Sequence, residues 1–251
     1  MSTTPGVTFR KDGKKTFIPL ENNPEVFNKL IYDLGVSEKL GFYDVYSVDE
    51  PELLAMIPRP VHALIFITPA PMWSRVRESD PGSTELTYDG SGPNESVMWY
   101  RQTIGHACGL IALLHSVSNG TAKDFIKPGS LLDKIITETR DLKPRARADF
   151  LYNSVELEKA HMAAAVTGDS AAPSSQEPVG YHFISFVKGS DGHLYDLEGG
   201  WGEPVDRGIL NEGNDLLSDQ ALEATVKKFT QVADGNLEFS IIALSTVPNE
   251  Y

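Results

Sequence analysis

Cysteine is nearly missing from this chain: Cys108 stands alone among 251 residues. One thiol excludes an intramolecular disulfide, and the histidines, at 62, 106, 115, 161, 182 and 193, form no Cys/His cluster with zinc-site spacing. A reducing compartment, the cytoplasm with the nucleus as a second location, is therefore expected, and neither a metal nor a cofactor is called for. Long apolar runs are absent too. No stretch approaches the ~18 apolar residues of a membrane span, and the N-terminal residues lack the apolar core of a signal peptide. Basic residues are in deficit, 22 against 35 acids for a net charge of −13, which argues against nucleic acid and anionic membranes as partners. The excess acid suits a basic partner or simply keeps the chain soluble.

The chain is nevertheless 41% hydrophobic, enough for a sizeable core. Asn23-Pro24-Glu25 reads as N-cap, first-turn proline and first-turn acid. Val26, Phe27, Leu30, Ile31 and Leu34 follow as an apolar stripe, and Gly35 ends that helix. Phe42–Tyr46 and Val61–Thr68 have strand character, with a short helix at Asp49–Met56 between them. Residues 69–95, rich in Pro, Gly, Ser and Asp, read as a long loop before a strand-like Val97–Tyr100. Helical spacing then covers Ser130–Thr139 and Pro144–Val166, and the polar stretch 167–178 reads as a mobile loop. Tyr181–Val187 and His193–Leu197 alternate as a hairpin; a helix at Asp215–Val232 and a strand at Leu237–Leu244 close the chain. Strands unevenly separated by helices and one hairpin fit an α/β or α+β layer fold, taken as one domain over residues 1–251.

Cys108 lies in Gln102-Thr-Ile-Gly-His-Ala-Cys108-Gly-Leu-Ile-Ala-Leu-Leu-His115, where a loop runs into an apolar helix. A thiol at a helix N-terminus feels unpaired N–H groups and the positive end of the helix dipole, both of which favour thiolate. Gln102 carries an amide that can donate to an oxyanion above such a sulfur. A lone cysteine is more commonly a small buried hydrophobe, so this segment alone does not decide the matter. His182 opens one strand of the hairpin, and Asp196 and Glu198 close the other on a shared face. A histidine with a carboxylate across a hairpin is the base and orienting acid that a thiolate nucleophile needs. Each residue also has a plainer reading, as a strand-end histidine or a solvated strand-face charge.

Several segments together carry a resemblance. Pro19-Leu20-Glu21-Asn-Asn23-Pro24-Glu25-Val26, Asp44-Val45-Tyr46, Glu52-Leu-Leu-Ala-Met-Ile-Pro58-Arg-Pro60, the Gln102–His115 segment, His182-Phe-Ile and Gly192-His193-Leu194-Tyr195 resemble the ubiquitin C-terminal hydrolases, above all their small, catalytic-domain-only members. The likeness runs from about Phe17 to Leu244 with the motifs in order. It implies a papain-like plan on a central antiparallel sheet flanked by helices, with a knotted backbone. By position it makes Cys108 the nucleophile, His182 the general base and acid, and Gln102 with the Cys108 N–H the oxyanion hole. The family's usual Tyr-Glu-Leu-Asp-Gly is Tyr195-Asp196-Leu197-Glu198-Gly199 here, so Glu198 takes the place of the triad Asp. His106 stands where the family commonly has Asn.

The resemblance further implies that the partner is ubiquitin, whose basic tail would lie near Glu21, Glu25 and Asp44, with Val179 and Leu237 against its apolar surface. The 167–178 stretch matches the family's active-site crossover loop. No cofactor is implied, and a monomer is expected. Two alternatives stand beside this: a hydrolase for a ubiquitin-like modifier, and a catalytically silent ubiquitin-binding module. The second would be signalled by loss of Gln102, Cys108 or His182, and all three are present.

Overall fold

A short hairpin, β1 (Thr8–Phe9) with β2 (Lys15–Thr16), begins the computed structural model, which describes residues 4–170 and 180–248. The first helix, α1 (Pro24–Leu34), forms as its punctuation requires. Asn23 accepts from the Glu25 N–H, and Gly35 closes the helix at φ 103°, a left-handed cap that glycine adopts without a Cβ penalty. β3 (Leu40–Asp44), α2 (Pro51–Leu54), β4 (Val61–Pro69) and α3 (Ala70–Arg77) follow. After them come α4 (Cys108–Val117), α5 (Leu131–Thr139), α6 (Pro144–Asn153), α7 (Val155–Ala165), β5 (Tyr181–Lys188), β6 (His193–Leu197) and β7 (Val205–Ile209). The last elements are α8 (Asp219–Ala224), α9 (Val226–Thr230) and β8 (Ser240–Thr246).

Six strands join in the order β3-β8-β4-β5-β6-β7, with every neighbouring pair antiparallel. The near-continuous apolar run of β4 is explained by its burial on both faces. Ala63 and Ile65 face one core with Phe183, Val187, Ile242 and Leu244, against α1 and α4. Leu64 and Phe66 face the other with Ile184, Phe186, Ile241 and Ala243, against Met72 and Val76 of α3 and Phe229 of α9. Strand alternation thus divides the interior into two layers of packing, one on each side of the sheet.

Several expected elements differ. The stretch 69–95 is not all loop: Ala70–Arg77 forms α3. Its Pro71 lies in the first turn, where a missing N–H costs nothing, so the proline that suggests a loop in fact opens a helix. Val97–Tyr100 is buried but forms no strand: Val97 is a bend, and the segment joins no ladder. Side chains stand in for a neighbouring strand: Asn119 accepts from the Met98 N–H and donates to its carbonyl, and His115 Nε2 accepts from the Tyr100 N–H at 2.9 Å. The expected helix 144–166 breaks at Ser154, which caps α7 by accepting from the Leu157 N–H. The expected helix 215–232 starts at Asp219 and breaks at Thr225, whose φ of −123° and ψ of −99° leave the helical region. The last strand begins at Ser240 rather than Leu237. The unexpected strand β7 reads Val-Asp-Arg-Gly-Ile, too polar for the apolar pattern to show.

What fixes the far half of the sheet is a buried ion cluster. Phe186 and Asp196 are register partners, and Phe186 faces the α3 core, so the Asp196 carboxylate points into that layer too. There Arg77 of α3 binds it through two nitrogens at 2.8 and 2.9 Å, and Arg207 of β7 adds a third bond at 2.7 Å. Asp80 bridges the same two arginines. Burial alone would raise the Asp196 carboxyl; Arg77 and Arg207 outweigh it and hold the group below the usual carboxylate value.

Asp196→Asn takes from two buried guanidinium groups the carboxylate that accepts three of their hydrogen bonds. We expect it to cost about 3–5 kcal/mol of stability in urea unfolding at neutral pH. Since the folded carboxyl titrates lower than the unfolded one, the stabilisation is present above the unfolded value and fades as pH falls through the folded value. A substitution that is neutral at pH 7 would show that the cluster does not hold the fold.

Candidate active site

The thiol is delivered by a turn that few residues can make. His106 takes φ 56°, a left-handed conformation in which Asn, Asp and His are the enriched non-glycine residues. The Asn-for-His difference at this position is thus compatible with one backbone path. Two residues on, Cys108 starts α4, and the N-cap position holds Ala107, which has no side chain to satisfy the first-turn N–H groups. Cys108 is half-buried and lines a cleft at the end of the sheet where β5 begins. Burial pushes the thiol up to about 11; the backbone N–H groups of Gly109, Cys108 and Phe183 pull the other way, and the negative charge of Glu198 adds to the rise. The expectation of a lowered thiol pKa is corrected accordingly, because desolvation exceeds what the helix N-terminus supplies. A free thiolate here needs a base to take its proton.

An imidazole reaches the cleft from the other side of the sheet. His182 lies two residues before Ile184 and four before Phe186, on the α3 face, near the end where β5 begins. α4 covers the opposite face, so thiol and imidazole come from different layers and line the same cleft. The His182 Nδ1 is 2.9 Å from Glu198 Oε1, which leaves Nε2 for the cleft. Glu198 is 5% exposed at its side chain, and its other oxygen accepts from Trp73 Nε1 at 2.6 Å and Arg77 Nη2 at 2.9 Å. The two carboxylates that sequence places on one face therefore separate in function. Asp196 is consumed by arginines and is not part of the cleft lining; Glu198 faces the histidine.

Counting formal charges in this cluster gives two arginines against Asp80, Asp196 and Glu198. The one uncompensated negative charge is aimed at the imidazole, where it stabilises a positive charge that develops during proton transfer. Of the other histidines, burial drives His115 down to about 3 and His161 to about 4, so both are neutral packing residues.

Gln102 is held beside the acid by its backbone. Its N–H donates to the Gly199 carbonyl at 2.9 Å, and a Cβ on Gly199 would fall 2.8 Å from the Gln102 Cβ, so only glycine lets the two segments approach. The Gln102 amide donates one hydrogen to the Ile104 carbonyl at 3.1 Å and retains a second donor. Cys108, His182, Glu198 and Gln102 all line one cleft of about 580 Å³. Among the described residues no group of three His, Cys, Asp or Glu side chains could hold a metal ion.

The expected substrate contacts are less united. Glu21 lines the cleft, but its carboxylate accepts from Asn23 and from the Ser170 N–H, fastening the start of the 167–178 stretch. Glu25, Asp44 and Leu237 are exposed and lie outside the cleft lining. Val179 and residues 171–178 of the expected crossover loop lie outside the described residues. Sequence reading missed Trp73 and Arg77 altogether. Met72 and Val76 at a four-residue spacing after Pro71 were the available signal of the helix that carries them.

The family model described as "Ubiquitin carboxyl-terminal hydrolase, family 1" matches residues 17–231. The chain is 35% identical to ubiquitin carboxyl-terminal hydrolase 3 of Arabidopsis thaliana over 92% of its own length and 94% of the relative's. It is 34% identical to isozyme L1 of Homo sapiens, over 90% and 96% of the two chains. Among solved structures, the Trichinella spiralis UCH37 catalytic domain bound to ubiquitin vinyl methyl ester superimposes with a TM-score of 0.69 at 22% identity, covering 92% of this chain and 95% of that one.

With the thiol near 11, its thiolate fraction falls about tenfold for each pH unit below that value unless a neighbour accepts the proton. In His182→Ala, alkylation of Cys108 by iodoacetamide should be slow at pH 7 and climb steadily as pH is raised toward 11. The unsubstituted chain should react faster at pH 7. Equal rates there would mean that the imidazole does not draw the proton from sulfur.

Proposed function

The chain belongs to family 1 of the ubiquitin carboxyl-terminal hydrolases, thiol-dependent hydrolases of ubiquitin adducts, and we propose that it works by acyl transfer through Cys108. The single observation that carries the assignment is the 2.9 Å contact of His182 Nδ1 with Glu198 in the cleft that the sole cysteine lines. His182 takes the thiol proton at Nε2, and the sulfur attacks the carbonyl carbon of ubiquitin's terminal glycine. The second N–H of the Gln102 amide and the Cys108 N–H receive the oxyanion. As the tetrahedral species collapses, the bond from glycine carbon to the leaving amine or alcohol breaks and His182 returns its proton to that group. Water, deprotonated by His182, then hydrolyses the thioester and restores the thiol.

The excess of acid supports ubiquitin as the substrate side of this reaction. Its tail, Leu-Arg-Leu-Arg-Gly-Gly, is basic, and Glu21, Glu25 and Asp44 supply counter-charges on the face where the chain meets the cleft. Asp44 ends β3 opposite Ile242, and Asn22 bonds Ser240 at 2.8 Å, so these acids gather around the same end of the sheet as His182. Leu237, 81% exposed, is proposed as an apolar contact. One chain supplies every side chain named, in keeping with a monomer, and its free thiol suits the cytoplasm. The roles in ubiquitin conjugation and ubiquitin-dependent catabolism belong to the same proposal.

Cys108→Ala should abolish release of a fluorophore from a ubiquitin C-terminal amide while leaving ubiquitin binding intact by calorimetry. The wild-type thiol should in turn be trapped one-to-one by an electrophile on ubiquitin's C-terminus, mapped to Cys108. Residual turnover in the alanine variant would remove the sulfur from the mechanism.

Glu198→Gln should lower kcat about a hundredfold or more, because the neutral amide cannot stabilise the imidazolium. Asp196→Asn, assayed where it remains folded, should cost far less in kcat than in stability. The reverse ranking would transfer the acid's role to Asp196.

A further inference from the structure

Trp73 touches both members of the His182–Glu198 pair and has no part in the reaction just described. Its ring stacks on the imidazole with centroids 4.1 Å apart and planes 6° from parallel. Its Nε1 donates to Glu198 Oε2 at 2.6 Å, the oxygen turned away from His182. The side chain is half-buried: it packs against the core on the α3 side of the sheet and also lines the cleft, and core packing alone calls for neither the stacking on His182 nor the bond to Glu198. Trp201 meets it edge-on at 5.8 Å and is itself tied to the Pro81 carbonyl, which fixes the indole from behind.

We propose that Trp73 is a positioning residue that lets a glutamate serve as the orienting acid, clamping the histidine by stacking and the carboxylate by its N–H. The inference rests on the reading of His182 and Glu198 as base and acid. A glutamate has one more rotatable bond than an aspartate, so its carboxylate samples more positions unless something holds it. Two donors on Oε2, from Trp73 and Arg77, leave Oε1 alone to face the imidazole. The ring, held by one hydrogen bond at Nδ1, can still tilt about that bond; a parallel indole at stacking distance blocks the tilt and keeps Nε2 in the plane of the cleft. When the imidazole gains its proton, the indole face also favours the cation.

The test is a double-substitution cycle read by steady-state hydrolysis of a fluorogenic C-terminal amide of ubiquitin. Trp73→Phe keeps a ring for stacking and loses the donor; Trp73→Leu loses both. Expected kcat losses are about tenfold and about a hundredfold, with KM within about twofold and circular dichroism unchanged. In a Glu198→Gln background, Trp73→Phe should cost less than about twofold, because the group it positions is already disabled. A residue that merely packs would give multiplying effects. Wild-type kcat in Trp73→Phe, or independent effects of the two substitutions, overturns the proposal. Should Trp73→Leu not fold, Trp73→Phe and its cycle with Glu198→Gln decide alone. If His182→Ala and Glu198→Gln retain full turnover, the underlying assignment fails; if they are dead while the Trp73 variants are unaffected, only the role of Trp73 falls.

Discussion

The rest of the site depends on one guanidinium. Arg77, 2% exposed at its side chain, binds Asp80, Asp196 and Glu198 at once, and so ties α3 to the hairpin that carries the acid. A buried arginine is tolerable only when its charge and its planar donors are matched, and here three carboxylates share the matching with Arg207. The arrangement makes the acid's position a property of the core. Glu198 cannot swing toward solvent without taking an acceptor from Arg77 Nη2, which would keep only its bond to Asp196.

The proposed reacting groups line one cleft from separate packing layers. Cys108 comes from the helix on one face, while His182, Glu198, Trp73 and Arg77 belong to the other, and the sheet between them ends at the first residues of β5. Such a site has no single element whose sequence could encode it. Its geometry follows from the register of β4, β5 and β8, which sets how far each layer extends past the sheet's end. The same register puts the buried face of β6 over α3, so the fold that stabilises the chain also aims the acid.

Much of this was legible in the residues. The ends of α1, the two-sided burial implied by the apolar run of β4, the hairpin 181–197 and the start of α4 at Cys108 all follow from caps, periodicity and turn chemistry. The choice between Asp196 and Glu198 was legible only from position in a familiar motif; alternation puts both on one face, and the arginines that separate them arrive from α3 and β7, elements whose polar or proline-marked sequences conceal them. The thiol's pKa was misjudged for a different reason. Helix-terminus effects can be read along the chain, whereas desolvation depends on the packing of segments far apart in it.

The buried segment 97–100 takes its place from side chains rather than from a sheet. Its backbone is satisfied by Asn119, by His115 of α4 and by Arg147 of α6, not by a strand, so its path depends on side chains of two helices. Gln102 follows after Arg101. The segment is also tied to the end of β6, where the Trp99 indole N–H donates to the Glu198 carbonyl and the Gln102 N–H to that of Gly199, so a disturbance of the side chains that hold it would be passed to the backbone of the acid.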